Sequence, residues 1–232
     1  MNTGKATART LGALFIIATV AAALSVAVLN PLLDDPDYLL NLSADESGVV
    51  LGTLFDLVTA AAVIAIGVMF FPVLRQSSEG LALGYVAARI IEGAVIVVGA
   101  LSSLLLLTLS QEFVQASALD APGFQPLGDV LLAARDWTDI LGTVIAFGVS
   151  ALILNYLLYK TRLVPRFLSV WGLAGAALLL VAGLLGLSGE SPTATPMLLL
   201  ALPIAVNEMV LALWLIIKGF NPSAATARPA TG

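Results

Sequence analysis

Six long apolar runs decide what this chain can fold into. At 1.5 Å of rise per residue, about 20 apolar residues cross the hydrocarbon core of a bilayer. Thr10–Leu29, Ser47–Leu74, Gly80–Leu109, Val130–Tyr159, Pro165–Leu187 and Met197–Ile217 all reach that length. The runs are continuous rather than alternating, which excludes a membrane β-barrel and predicts helices that satisfy their own backbone hydrogen bonds. Composition agrees: of 232 residues, 59% are hydrophobic and only 11% charged. So few charges could not cover a soluble surface, so a soluble globular enzyme, a disordered chain and a nucleic-acid binder are excluded. The reading is an all-α, polytopic integral membrane bundle, with residues 1–232 as a single transmembrane domain of six helices.

Local signals refine the ends. Ser43 and Glu46 have the spacing of a capping box before the second span, and Pro165 suits the first turn of the fifth. The first span follows Lys5 and Arg9 as a signal peptide would, but its apolar run exceeds the length of a signal core, so it reads as a helix that stays. The segment Asp37–Leu42 is expected along the membrane interface.

Charge separates by side. The N-terminus, second loop, fourth loop and C-terminus carry Lys5, Arg9, Arg75, Lys160, Arg162, Arg166, Lys218 and Arg228, against one acid, Glu79. The other side carries Asp34, Asp35, Asp37, Asp45, Glu46, Glu112, Asp120, Asp129 and Glu190, with no base. The positive-inside rule places both termini in the cytoplasm. The basic cluster around Lys160–Arg166 reads as a topology signal, with anionic-lipid contact as a secondary role.

Seven charges remain inside the spans: Asp56, Arg89, Glu92, Arg135, Asp136, Asp139 and Glu208. Each costs about 2.5–3.5 kcal/mol near a helix centre if unpaired, so they must face one another, water or a ligand. Tyr85, Arg89 and Glu92 share a helix face, as do Arg135 and Asp139. Structural pairing would join Arg89 to Glu208 or Asp56, and Arg135 to an acid of its own helix. Alternatively the carboxylates line a polar cavity, because five acids outnumber two arginines. Asp136 and Asp139, near the outer end of their span, could also simply reach water. Pro203 frees the carbonyl of Leu199 one turn before Asn207 and Glu208, which suits a hinge or a binding site, though proline is also common in membrane helices. Gly80, Gly84 and Ala88 form a small-residue stripe, and Gly172, Gly175, Gly183 and Gly186 recur on the fifth span; both patterns read as helix packing. Trp137, Tyr85, Tyr159 and Trp214 read as packing or interface residues.

Absent chemistry narrows the rest. The chain has no cysteine and no histidine. No thiolate site, disulfide or histidine-based catalysis is expected, nor any metal or cofactor.

Certain motifs resemble a family. Residues 157–169, LLYKTRLVPRFLS, are similar to the "LLYxSxxVPRxLS" stretch of an uncharacterised prokaryotic membrane family labelled domain of unknown function 4386. Glu208 with residues 211–220 is similar to its closing "ExxLALWLxxKGF", and Arg89 to Glu92 to its "RxxE"; Arg9 and Gly12 fit its opening. Thr161 stands where that family commonly has serine. The resemblance covers nearly the whole chain and implies six helices in a bacterial or archaeal cytoplasmic membrane. It implies no activity.

The leading functional expectation is a protein that binds or transports a proton, cation or small polar solute. Arg89, Glu92, Glu208, Asp56 and Asn207 form the candidate site, with Arg135, Asp136, Asp139 and Tyr85 ranked behind them. The alternatives are a non-enzymatic structural, lipid-binding or signalling partner whose buried charges are ion pairs, and, last, a carboxylate-based intramembrane enzyme. Membrane lipids are the expected neighbours, and the small size argues against a full transporter as a monomer, which makes a homodimer the expected form for transport.

Overall fold

A computed structural model describes residues 3–116, 123–189 and 195–221. Its elements are α1 (Thr3–Leu33), α2 (Tyr38–Ala44), α3 (Glu46–Leu74), α4 (Glu79–Gln115), α5 (Phe124–Thr138), a π-helical stretch (Asp139–Ala146), α6 (Phe147–Thr161), α7 (Arg166–Leu187) and α8 (Thr195–Ile217). α5, the π stretch and α6 run on as one rod. Among the described residues, six helices are long and apolar enough to cross a membrane. The chain is a multi-pass membrane protein.

The helices alternate in direction, so the loop charges fall at two ends. Asp34, Asp35, Asp37, Asp45, Glu46, Glu112 and Asp129 gather at the acidic end, while Arg9, Arg75, Lys160, Arg162, Arg166 and Lys218 gather at the basic end. Asp120, Glu190 and Arg228 lie outside the described residues. The main apolar core sits toward the basic end, where Leu11, Phe15, Ile66, Phe70, Tyr85, Leu157, Leu168 and Leu215 pack together.

α4 and the α5–α6 rod outrun a bilayer. At 1.5 Å per residue, the 37 residues of α4 span about 55 Å, against a core of about 30 Å. Their surplus at the acidic end packs with α2 into a second core containing Leu29, Leu33, Leu39, Leu42, Leu106 and Leu107. Polar ties fasten this cap. Ser110 Oγ donates to the Leu39 carbonyl at 2.6 Å. The buried Tyr38 hydroxyl donates to Asp129 at 3.1 Å, and Gln125 donates to both. Burial first, and then the carboxylate of Asp129, push the Tyr38 phenol up to about 12.

Several local expectations are corrected. The N-cap of α3 is Asp45, whose carboxylate accepts from the Gly48 amide at 3.0 Å; Ser43 instead turns back to donate to the Leu40 carbonyl. The acid one position before the helix outcompetes the serine two residues further back, because only an N-cap side chain reaches the free amides of the first turn. Pro165 is the residue just before α7, in extended backbone, rather than inside its first turn. The Gly80 and Gly84 stripe packs little: a methyl at Gly80 would touch nothing, and one at Gly84 only the tip of Ile153 at 3.7 Å. The α7 glycines do admit close neighbours. A methyl at Gly175 would lie 2.9 Å from the backbone nitrogen of Ile204 in α8.

Gly175→Val should therefore destabilise the protein by about 1–3 kcal/mol, the usual cost of overpacking. Gly80→Ala should be neutral or slightly stabilising, since alanine favours helix. Unfolding midpoints in detergent micelles compare the two.

Candidate functional site

Two ion-pair clusters face each other across the middle of the bundle. The first is centred on Arg89 of α4, which is 2% exposed. Its Nη1 donates to both oxygens of Glu92, at 3.2 and 3.1 Å, and its Nη2 donates to Glu208 of α8 at 3.1 Å. Its Nε donates to the Tyr85 hydroxyl at 3.3 Å. The rings of Phe147, Tyr85 and Phe15 lie 5.1, 5.6 and 5.8 Å from the guanidinium carbon, close enough for cation–π attraction. Helical spacing explains the local part: residues three and four apart stack on one face of α4, so Tyr85, Arg89 and Glu92 meet by construction.

The second cluster is centred on Arg135 of α5. Its Nη1 donates to Ser103 at 2.7 Å and pairs with Asp56 of α3 at 3.3 Å. The other oxygen of Asp56 accepts from Ser25 of α1 at 2.5 Å. The Arg135 partner expected from its own helix is not the one observed. Arg135 bridges to α3, because its buried side chain extends across the Gly99 turn of α4, where a larger residue would collide with Thr138.

Glycines bring these helices close enough. A methyl at Gly67 of α3 would lie 2.9 Å from Cβ of Arg89. One at Gly93 would meet Ile64 at 2.7 Å, and one at Gly142 would meet Val95 at 2.9 Å. These three glycines together with Gly99, not Gly80 and Gly84, carry the small-residue packing around the charges.

Between the clusters lies a cavity of about 230 Å³. Arg89, Glu92 and Glu208 line one end, and Asp56, Arg135 and Asp139 the other, with walls that are otherwise mostly apolar. Two guanidiniums thus face four carboxyl groups. Asp139, on the first residue of the π stretch, makes no ion pair and no hydrogen bond through its carboxylate among the described residues. π-helical turns are rare and gather at functional sites, because the widened turn re-aims the side chains it carries. Here it sets Asp139 and Thr143 on the cavity wall.

The candidate residues divide accordingly. Asp56, Arg89, Glu92, Glu208, Arg135 and Asp139 share the cavity. Asn207 does not: it is buried against α7, donating to the Leu168 carbonyl at 2.9 Å. Asp136 is exposed at the acidic end, within electrostatic range of Asp34. Tyr85 is buried behind Arg89. Ser25 and Ser103 escaped the sequence reading, although Ser25 is a lone hydroxyl in its apolar run and Ser103 half of a Ser102–Ser103 pair in another, which a buried charge elsewhere could use. Among the described residues no group of three acids forms a metal-binding cluster.

Residues 10–219 match the family described as Domain of unknown function (DUF4386). The chain belongs to this family. No match was found among the curated proteins or the solved structures. Arg89, Glu92 and Glu208, which carry the family resemblance, are the three residues that close one end of the cavity.

Removing a partner from a buried pair strands the other charge, at a cost of about 3–5 kcal/mol. Arg89→Met should destabilise the protein by that order, and Arg89→Met combined with Glu92→Gln by less than the single change. A double-mutant cycle on unfolding in mixed micelles reads the difference.

Proposed function

We propose that this protein binds a small cation in the cavity between its two ion-pair clusters, as a solute-binding or transport protein of the membrane. The observation that carries the reading is the surplus of acid: four carboxyl groups against two guanidiniums in an apolar-walled space, with Asp139 unpaired. A carboxylate in such surroundings is stabilised by a proton or by a bound cation. Asp139 contacts the solute; Glu208, paired with Arg89 at the far end of the cavity, adds to the negative potential that holds it, while Arg89 and Arg135 keep Glu92 and Asp56 as fixed counter-charges. Protons are the natural exchange partner, since a carboxyl group that releases a cation can take up a proton in its place.

The second reading treats the same charges as structural pins between helices, and what favours it is that each guanidinium already pairs with a carboxylate. Tetramethylammonium separates the two. It should raise the unfolding temperature of the purified protein in a saturable way, as a ligand of the native state does. Asp139→Asn and Glu208→Gln should weaken that effect at least tenfold, and both should abolish tetramethylammonium-driven proton flux in proteoliposomes. Stability changes without any cation effect would establish the structural reading instead.

The placement that accompanies this proposal is a bacterial or archaeal cytoplasmic membrane, with both termini and the basic end in the cytoplasm, following the positive-inside rule. A homodimer is compatible with it. The cysteine-free sequence makes the orientation directly testable. A membrane-impermeant maleimide should label Glu112→Cys in intact cells, and Gln76→Cys only after permeabilisation. The reverse pattern overturns the orientation.

A further inference from the structure

The cavity has a mouth, and its position bears on what can reach it. Three of its lining residues are also exposed on the outside of the protein: Val26 of α1, at 53%, Thr143 of the π stretch, and Ala205 of α8. They mark an opening where α1, the rod and α8 do not close on one another. Toward the basic end α1 and α8 do close, since Gly12 of α1 packs on Ala212 and Ile216 of α8, and α8 reaches α4 through Glu208 and Arg89.

The opening lies at membrane depth. Val26 is seven residues short of the end of α1, and Ala205 ten residues past the start of α8. At 1.5 Å per residue these positions are about 10 and 15 Å below the acidic ends of their helices. Above the opening, the route to water is obstructed. Ser25 and Asp56 join α1 to α3, and Arg135 joins α3 to the rod. Beyond these ties the apolar cap of α2 packs over α1, α4 and α5. The mouth therefore faces hydrocarbon.

A ligand that uses this mouth must carry a head that suits the cavity and a tail that suits lipid. The head chemistry follows from the surplus carboxylates, and the tail from the apolar rim of Val26 and Ala205. Resting on the cation-binding reading above, we infer that the cavity is loaded sideways from the bilayer with a single-chain amphiphile whose head is a substituted ammonium group. The head sits beside Asp139, with Glu208 at the far end of the cavity, and the chain leaves past Val26 and Ala205 into the surrounding lipid. The bilayer concentrates such a molecule before the protein meets it, so its apparent affinity exceeds that of the head alone.

The test compares radiolabelled dodecyltrimethylammonium, tetramethylammonium and dodecanoate, each bound to the full-length protein in phosphatidylcholine nanodiscs, with protein-free nanodiscs subtracted. Dodecyltrimethylammonium should bind at least tenfold tighter than tetramethylammonium, and dodecanoate should not bind. Ala205→Trp, which fills the mouth, should abolish the advantage of the chain, and Asp139→Asn should weaken the long-chain cation at least tenfold. Gel filtration and unfolding temperature show whether each variant is folded; the three-ligand comparison on the unaltered protein stands even if a variant is not. Equal binding of the two ammonium ions, or a chain advantage that survives in folded Ala205→Trp, overturns the lateral route and leaves the cavity reading standing. Binding of dodecanoate as tight as the cation overturns the charge selection. If neither ammonium ion binds, the cation-binding reading fails and the lateral route falls with it.

Discussion

A fully buried guanidinium sets the terms for the rest of this bundle. Arg89 cannot shed its charge as a lysine could, because the arginine side chain stays protonated in proteins. The fold must therefore surround it with acceptors and rings. Glu92 takes two of its hydrogen bonds, Glu208 another and Tyr85 another, while Phe15, Tyr85 and Phe147 cover its flanks. Those partners come from α1, α4, α6 and α8, so satisfying one side chain fixes the relative placement of four helices. Gly67 adds α3, because only a residue without a side chain leaves room for the stem of Arg89.

Arg135 repeats the arrangement nearer the acidic end. Its hydrogen bonds to Ser103 and Asp56 tie α5 to α4 and α3, and Ser25 extends the chain of contacts to α1. The two clusters are offset by about ten residues of α4, from Arg89 to Gly99, or about 15 Å along the helix axis. The interval is the cavity. It persists because the charged groups at its ends cannot be drawn into a dry apolar seam without losing their partners.

The sequence carried the architecture well and the site in part. Six spans were legible because apolar length is a one-dimensional property, and the intrahelical trio of Tyr85, Arg89 and Glu92 because helical periodicity is too. The link from Arg89 to Glu208 crosses 119 positions and was open between two acids until the fold selected one. Arg135 was assigned to a neighbour on its own helix because no periodicity reaches across helices; its actual partner is Asp56. Asn207 sits next to Glu208 in sequence but faces α7, since adjacent helical residues point about 100° apart. The π stretch was invisible, because a single register change leaves no compositional mark, and with it the prominence of Asp139. The glycines are divided: the repeat on α7 does pack closely, the stripe at Gly80 and Gly84 does not, and around the charges close approach falls at Gly67, Gly93, Gly99 and Gly142, where neighbours decide what fits.

The two salt bridges of Arg89 differ in a way that matters for movement. Glu92 belongs to the same helix and travels with the arginine, whereas Glu208 belongs to α8. If α8 were to swing outward, Arg89 would remain neutralised by Glu92 and only Glu208 would leave its partner. The departing carboxylate could not stay bare in hydrocarbon; it would have to carry a proton or a cation with it. The asymmetry means that parting these two helices would strand no positive charge and would put the whole electrostatic cost on the carboxylate of α8.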